Sequence, residues 1–251
     1  MSEWFPFYKG GYADSSKCCM ICFHHAGGSA ATFSTMKRFK TENFIAVPVE
    51  IPGHGRRLKE QRETDINILA EKTADAIYQE FGKCHLWLYG HSFGSLVAYE
   101  TCFQLEHKYH KKVEKLIISG RNAPSESDSI PFHLSDGHDA FIREMKRYGL
   151  IPEAMLENEE FMKYYEPIVF GDYRLLENYH YHKNHKIKAP VRLDYGNKDE
   201  DISESAAEKW HEITSGSFSK YVHKGGHFFM FDKGNGYFYE LIQETERRNF
   251  I

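Results

Sequence analysis

Short runs of β-branched, aromatic and cysteine residues alternate along the chain with longer segments whose apolar positions recur every three or four residues. Six of the short runs read as strands: Cys18–Phe23, 44–49, 84–89, Val113–Ser119, 191–195 and 218–222. Between the second and third, Ile66, Leu69, Ala70, Thr73, Ile77 and Phe81 fall on one side of a helix, and Asp65 stands where a side-chain oxygen can cap the first free amides. Segments 96–106, 203–214 and 237–248 carry further helical patterns. This alternation predicts an α/β domain on a mostly parallel central sheet flanked by helices.

The rhythm breaks once. Residues 121–188 separate two strands by far more than a βα unit needs, and they hold helical patterns of their own at 138–148 and 159–165. Pro131, Gly149-Leu150-Ile151-Pro152 and Pro167 punctuate them. Helices inserted between strands of an intact sheet commonly cover its functional edge, so the expectation is a helical lid within a single domain spanning 1–251. Gly149 and Gly171 are its candidate pivots. The lid aromatics, Tyr164 and Tyr165 among them, make either a small core or the wall of an acyl groove. His180, Tyr181, His182 and His185 read as polar surface.

Composition narrows the class. A chain of 251 residues, 41% hydrophobic and 27% charged, has ample material for one globular core, which excludes disordered and fibrous classes. Its net charge of −4, with no cluster of Lys and Arg, argues against nucleic acid as a partner. The start, Met1-Ser2-Glu3-Trp4-Phe5-Pro6, lacks a basic region followed by an apolar run, and no stretch has the apolar length to cross a bilayer. A cytoplasmic protein without membrane contact is expected. Five cysteines, three of them in the first strand, read as reduced thiols.

The chemistry centres on Gly90-His91-Ser92-Phe93-Gly94, between the third strand and a helical segment. A chain that turns this sharply forces the turning residue into a sparsely allowed conformation, and small neighbours let strand and helix approach. Ser92 is then pushed out at the tip, with the helix dipole aimed at any charge that develops there. His91 packs beneath it.

A serine hydroxyl needs a base to take its proton and an acid to orient that base. On this kind of turn the partners follow in the order serine, acid, histidine, at the carboxyl ends of later strands. After 191–195 comes Gly196-Asn197-Lys198-Asp199; after 218–222 comes His223-Lys224-Gly225-Gly226-His227. Two glycines permit a loop that swings an imidazole over the sheet edge. His227 is therefore the expected base, with His223 the alternative, and Asp199 the expected acid, ahead of Asp201 and Asp194. For an oxyanion, Phe93 offers its backbone N–H, and the small-residue loop after the first strand offers that of Ala26. Cys22, His24 and His25 do not have the spacing of a metal site, since adjacent strand residues point in opposite directions. No metal is expected.

With these residues in place, the chain resembles the type II thioesterases of nonribosomal peptide and polyketide assembly lines, stand-alone α/β-hydrolases that include the surfactin-type external enzymes. The likeness runs over nearly the whole length. It rests on the strings FHHAGGSAATF, PVEIPGHGRR, YGHSFGSLVAYE, HLSDGHDAFIREMKRYGLIPEAMLENEEF, DYRLLENY, YGNKDEDIS and GGHFFMF. The resemblance implies hydrolysis of acyl or aminoacyl groups from the phosphopantetheine thiol of a carrier protein, without metal or organic cofactor, by a monomer. Ser92, Asp199 and His227 match the family's triad, and Ala26 and Phe93 its oxyanion positions. Two departures border the acyl site: His24-His25 replaces a proline and an aromatic, and Phe170-Gly171 replaces an arginine-containing pair. A small-molecule esterase or lipase on the same fold is the alternative activity, and a hydrolase-fold ligand receptor is the alternative from another class.

Overall fold

The structure, a computed structural model, describes residues 2–10, 14–39, 41–126, 132–232 and 236–247, except the side chains of residues 35, 37–39 and 245–247. Six strands, β1 (Cys18–Phe23), β2 (Phe44–Pro48), β3 (His85–His91), β4 (Val113–Ser119), β5 (Val191–Gly196) and β6 (Phe218–His223), form one sheet in the order β2-β1-β3-β4-β5-β6. Every pairing is parallel. Parallel strands need crossovers that put helices on both faces, which explains why β1 and β5 are buried throughout their length.

Alternate residues of each strand serve opposite faces. Cys19, Ile21, Leu86 and Leu88 join the core beneath α1 (Ile66–Phe81) and α2 (Phe93–Lys108). Cys18, Met20, Trp87 and Tyr89 join the core beneath the 3-10 segment Ala30–Phe39 and the last helix, Gly236–Arg247. All five cysteines are buried. Asp65 caps α1 as its sequence position suggests, accepting from Asn67 N at 2.6 Å. Among the described residues no helix is long and apolar enough to cross a membrane.

Three helices leave the sheet between β4 and β5: α3 (Gly137–Tyr148), α4 (Glu153–Leu156) and α5 (Glu159–Glu177). Phe132, Phe141, Met145, Met162, Val169 and Tyr173 build a separate small core from them, with Ala26 of the loop after β1 packed against it. The insertion therefore rests on the carboxyl edge of the sheet. Pro131, which the sequence offered as a break, lies outside the described residues.

Several boundaries differ from the sequence expectation. The helix expected over 159–165 continues to Glu177 through Pro167. An interior proline costs about 3 kcal/mol, but Met162, Tyr165, Ile168, Val169, Tyr173 and Leu176 stay buried at helical spacing on both sides of it, and that packing holds the helix together. Gly171 consequently sits inside a continuous helix and is no pivot; a side chain there would meet Arg62 Nη1 at 2.6 Å. Gly149 does end α3 in the left-handed conformation, φ 65°. The segment 203–214 divides into α6 (Glu204–Glu208) and a 3-10 turn, Lys209–Glu212. His185 is not open surface, since its Nδ1 lies 2.8 Å from the buried carboxylate of Glu100.

Backbone approaches backbone closely where β3 turns into α2. A Cβ at Gly94 would sit 2.4 Å from the carbonyl oxygens of both Phe23 and His24, and one at Gly90 would sit 2.2 Å from Gly94 O. These are backbone atoms and cannot swing aside. Gly94→Ala should lower the free energy of unfolding by about 1–3 kcal/mol, read as a lower urea midpoint at unchanged slope.

Candidate active site

Ser92 stands between β3 and α2 with φ 54° and ψ −117°, a strained backbone for a residue bearing a Cβ. The strain is held by hydrogen bonds on either side. Ser92 N donates to Ser119 O at 2.8 Å, the Ser95 hydroxyl donates to Gly90 O at 2.7 Å, and Ser119 N donates to Ser95 Oγ at 3.1 Å. His91 is wholly buried below, its Nδ1 2.9 Å from Ser119 Oγ, and burial drives its pKa well down. It packs, as its place in the motif suggested. α2 starts at Phe93, earlier than its apolar pattern implies, so the serine abuts the helix's first amides.

His227 lies in the loop after β6 and Asp199 in the turn after β5. His227 Nδ1 donates to Asp199 Oδ2 at 2.9 Å. The other ring nitrogen, Nε2, is thereby left as the basic one. Ser92 and His227 line the same two cavities, and the His227 ring is 4.9 Å from that of His91. Among the alternatives, Asp201 Oδ2 is 3.6 Å from His227 Nδ1 but accepts from the Tyr148 hydroxyl at 2.6 Å, while its Oδ1 accepts from Arg147 at 2.6 Å. It ties α3 to the acid turn. Asp194 and His223 pair with each other at 2.5 Å, and Arg192 grips the same carboxylate at 2.7 and 2.9 Å. Neither lines a cavity that Ser92 lines.

Asp199, Asp201 and His227 are the one set among the described residues with potential metal-ligand atoms within 4.8 Å of one another. Each already has a hydrogen-bond partner: the histidine holds Asp199, and α3 holds Asp201. His24 and His25 do other work. His24 donates to His25 O at 2.9 Å and lies 4.8 Å from the His54 ring, and His25 packs 5.0 Å from Phe228 beside Ser92.

The loop after β1 carries Ala26 to the wall of both cavities. The next amide, Gly27 N, donates to Asp172 Oδ2 at 2.7 Å, and His54 Nε2 donates to the same oxygen at 2.9 Å. Asp172 comes from α5 and is wholly buried. Burial opposes its charge, yet His54 and the Gly27 amide hold its pKa below the usual carboxylate value. Sequence reasoning missed this anchor, although a carboxylate on the apolar face of a helix was a signal. Gly27 has φ 75°, and a Cβ there would strike Val169 and the Tyr165 hydroxyl at 2.6 and 2.7 Å.

The two cavities at Ser92 differ in lining. One is apolar, with Met145, Ile151, Val169 and Phe228; the other is polar, with Arg121, Asn122 and Asp201. Their volumes are about 30 and 20 Å³, room for a water or two and not for an acyl chain. Tyr148 of α3 fills the space between, its ring 4.9 Å from that of His227. Admitting an extended substrate requires the insertion helices to shift.

A strained serine on a strand-to-helix turn, a histidine–aspartate pair and a parallel sheet define an α/β-hydrolase of the serine type. Comparison with known families is more specific: residues 19–246 match the thioesterase domain family, to which this chain belongs. It is accordingly a hydrolase acting on thioesters. Thioesterase PikA5 of Streptomyces venezuelae is 31% identical over 221 residues, covering 88% of this chain and 78% of that protein. Gramicidin S biosynthesis protein GrsT of Aneurinibacillus migulanus is 26% identical over 247 residues, covering 97% and 92%. The type II thioesterase BorB, from the borrelidin biosynthetic cluster, superposes with a TM-score of 0.82 at 26% identity over 97% of each chain.

Two predictions follow from the buried polar groups. Asp172→Asn leaves the Gly27 amide a weaker acceptor and should lower kcat for thioester hydrolysis by about tenfold to a hundredfold, with KM changed far less, if the loop carries the oxyanion donor that the sequence leads one to expect at Ala26. A fall in kcat/KM carried by KM alone contradicts that role. The second concerns pH. Burial lowers the pKa of His24 to about 3 and of His25 to about 4, and that of His91 well below normal. These rings stay neutral in the fold and take up protons on unfolding, so stability is full above pH 6.5 and falls as pH drops towards 4. The slope is up to about 1.4 kcal/mol per pH unit for each ring. Urea melts at pH 7.5, 6 and 5 measure it, and His91→Gln should flatten the curve.

Proposed function

We propose that this thioesterase releases acyl or aminoacyl groups from the phosphopantetheine arm of carrier proteins in nonribosomal peptide or polyketide synthesis, as a type II editing enzyme. The observation that carries the reading is the His227–Asp199 pair beside the strained Ser92 in a chain of this family. Relatives of similar length named for such pathways supply the substrate class.

In this reading Ser92 Oγ attacks the thioester carbonyl while His227 Nε2 takes its proton and Asp199 holds Nδ1–H, fixing the tautomer. The amides of Ala26 and Phe93 receive the oxyanion. Collapse expels the thiolate, which leaves with the proton from His227. Water, deprotonated by the same ring, then attacks the acyl-serine, and the acid departs. Every proton moves between Ser92, His227, thiol and water, so the chemistry calls for no metal or organic cofactor. Residues 121–188 act as a lid within a single domain, with Gly149 as one pivot and the Asp201 contacts of Arg147 and Tyr148 as its latch. The enzyme works as a monomer in the cytoplasm, where it meets its carriers.

A fluorophosphonate should add to Ser92, seen by mass spectrometry, and His227→Ala should slow the labelling by two orders of magnitude or more. An adduct elsewhere, or a rate indifferent to His227, defeats the assignment. The carrier reading is tested separately. The kcat/KM for an acylated carrier should exceed that for the matching free ester at least a hundredfold, whereas equal rates indicate a small-molecule esterase.

A further inference from the structure

The space around Ser92 divides by chemistry, and the division continues outwards. The polar cavity shares Arg121 and Leu176 with a third, wider one of about 510 Å³, bounded by the segment after β4 and the carboxyl end of α5, where Glu126, His133, Glu177 and Tyr179 stand. On one side of Ser92 the polar cavity leads past Arg121 to the wide polar groove; on the other the apolar cavity under α3 and α5 shares His25, Ile151 and Tyr165 with an open groove of about 400 Å³. Arg121 is only 9% exposed, and its Nε is buried with no hydrogen-bond partner among the described residues. Asp201, the carboxylate nearest in effect, is already taken by Arg147 and Tyr148. Tyr148, Tyr173 and Tyr179 are the other titratable groups that face the guanidinium.

A buried donor without an acceptor is retained at a cost, and it is met when a ligand brings one. Resting on the carrier reading above, we propose that the wide groove and the polar cavity form the path of the pantetheine arm. Arg121 binds the arm by donating to an amide carbonyl oxygen, while the acyl chain lies in the apolar cavity. The arm carries two amides between its thiol and its phosphate. A guanidinium that shares a cavity with the nucleophile meets the amides, because the phosphate is at the far end. Arginine has donors only, which suits carbonyl oxygens and leaves the acyl end to apolar contacts. Asn122 cannot substitute, since its side chain is committed to Asp201 O at 3.0 Å and Ser203 N at 3.2 Å.

The test compares two thioesters of one acyl group, on N-acetylcysteamine and on pentanethiol, chains of equal length of which only the first carries an amide. Arg121→Gln should reduce the ratio of kcat/KM for the two about tenfold, through KM, and Arg121→Lys should restore part of it. An unchanged ratio overturns the proposal. Binding needs no turnover: calorimetry with pantetheine should show a weaker complex for Arg121→Gln than for the unaltered protein. Equal affinities overturn the proposal even if no thioester is hydrolysed, whereas hydrolysis that ignores the carrier defeats only the reading beneath it. A third measurement avoids relying on the folding of Arg121→Gln. The Arg121 Nε–H resonance of the unaltered protein, assigned by its loss in Arg121→Lys, should shift on adding pantetheine, and a resonance unmoved at saturation counts against the contact.

Discussion

One constraint organises this molecule: β3 becomes α2 with a single residue between them. Strand and helix come so close that Gly90 and Gly94 meet neighbouring backbone, and Ser92 alone absorbs the change of direction. The strain is a local cost. It is tolerated because parallel neighbours on both sides fix the end of β3, and because Ser95 and Ser119 stitch the turn to β4. Once the turn is fixed, the hydroxyl is held at the sheet's carboxyl edge, where the later strands deliver their loops.

The insertion helices are tied to that edge by polar contacts as well as by their own small core. Asp172 of α5 reaches the loop that carries Ala26, and Arg147 and Tyr148 of α3 reach Asp201 beside the acid. The two ties differ in character. The first is wholly buried and shared with His54, so it acts as a fixed strut under the loop. The second links partly exposed groups, whose pairing contributes little stability.

Much of this could be read in the sequence because the chemistry is local. Gly-x-Ser-x-Gly after an apolar run, Asp199 just past a strand and Gly-Gly-His after the last strand each mark, within a few residues, the place the structure gives them. The inner strands β1 and β3 were equally plain as near-continuous apolar runs, whereas β6 is mixed in sequence and largely unburied. What could not be read depends on distance or on competition. Asp172 finds Gly27 across 145 positions, which no periodicity reveals. Pro167 looked like a stop because local propensity says so, and tertiary burial on both sides of it outweighed that preference. His185 looked like surface in a polar tail until Glu100 was found beneath it.

The buried cysteines have a meaning that packing alone does not convey. A thioester passes its acyl group to any accessible thiolate with little change in free energy, so a stray sulfhydryl on such an enzyme would compete with its serine and hold the cargo in a dead end. Here Cys18 and Cys22 face the core side of β1, Cys102 lies inside α2, and burial pushes all three thiols far from ionising at neutral pH. The protein handles sulfur esters while keeping these three thiols out of the exchange.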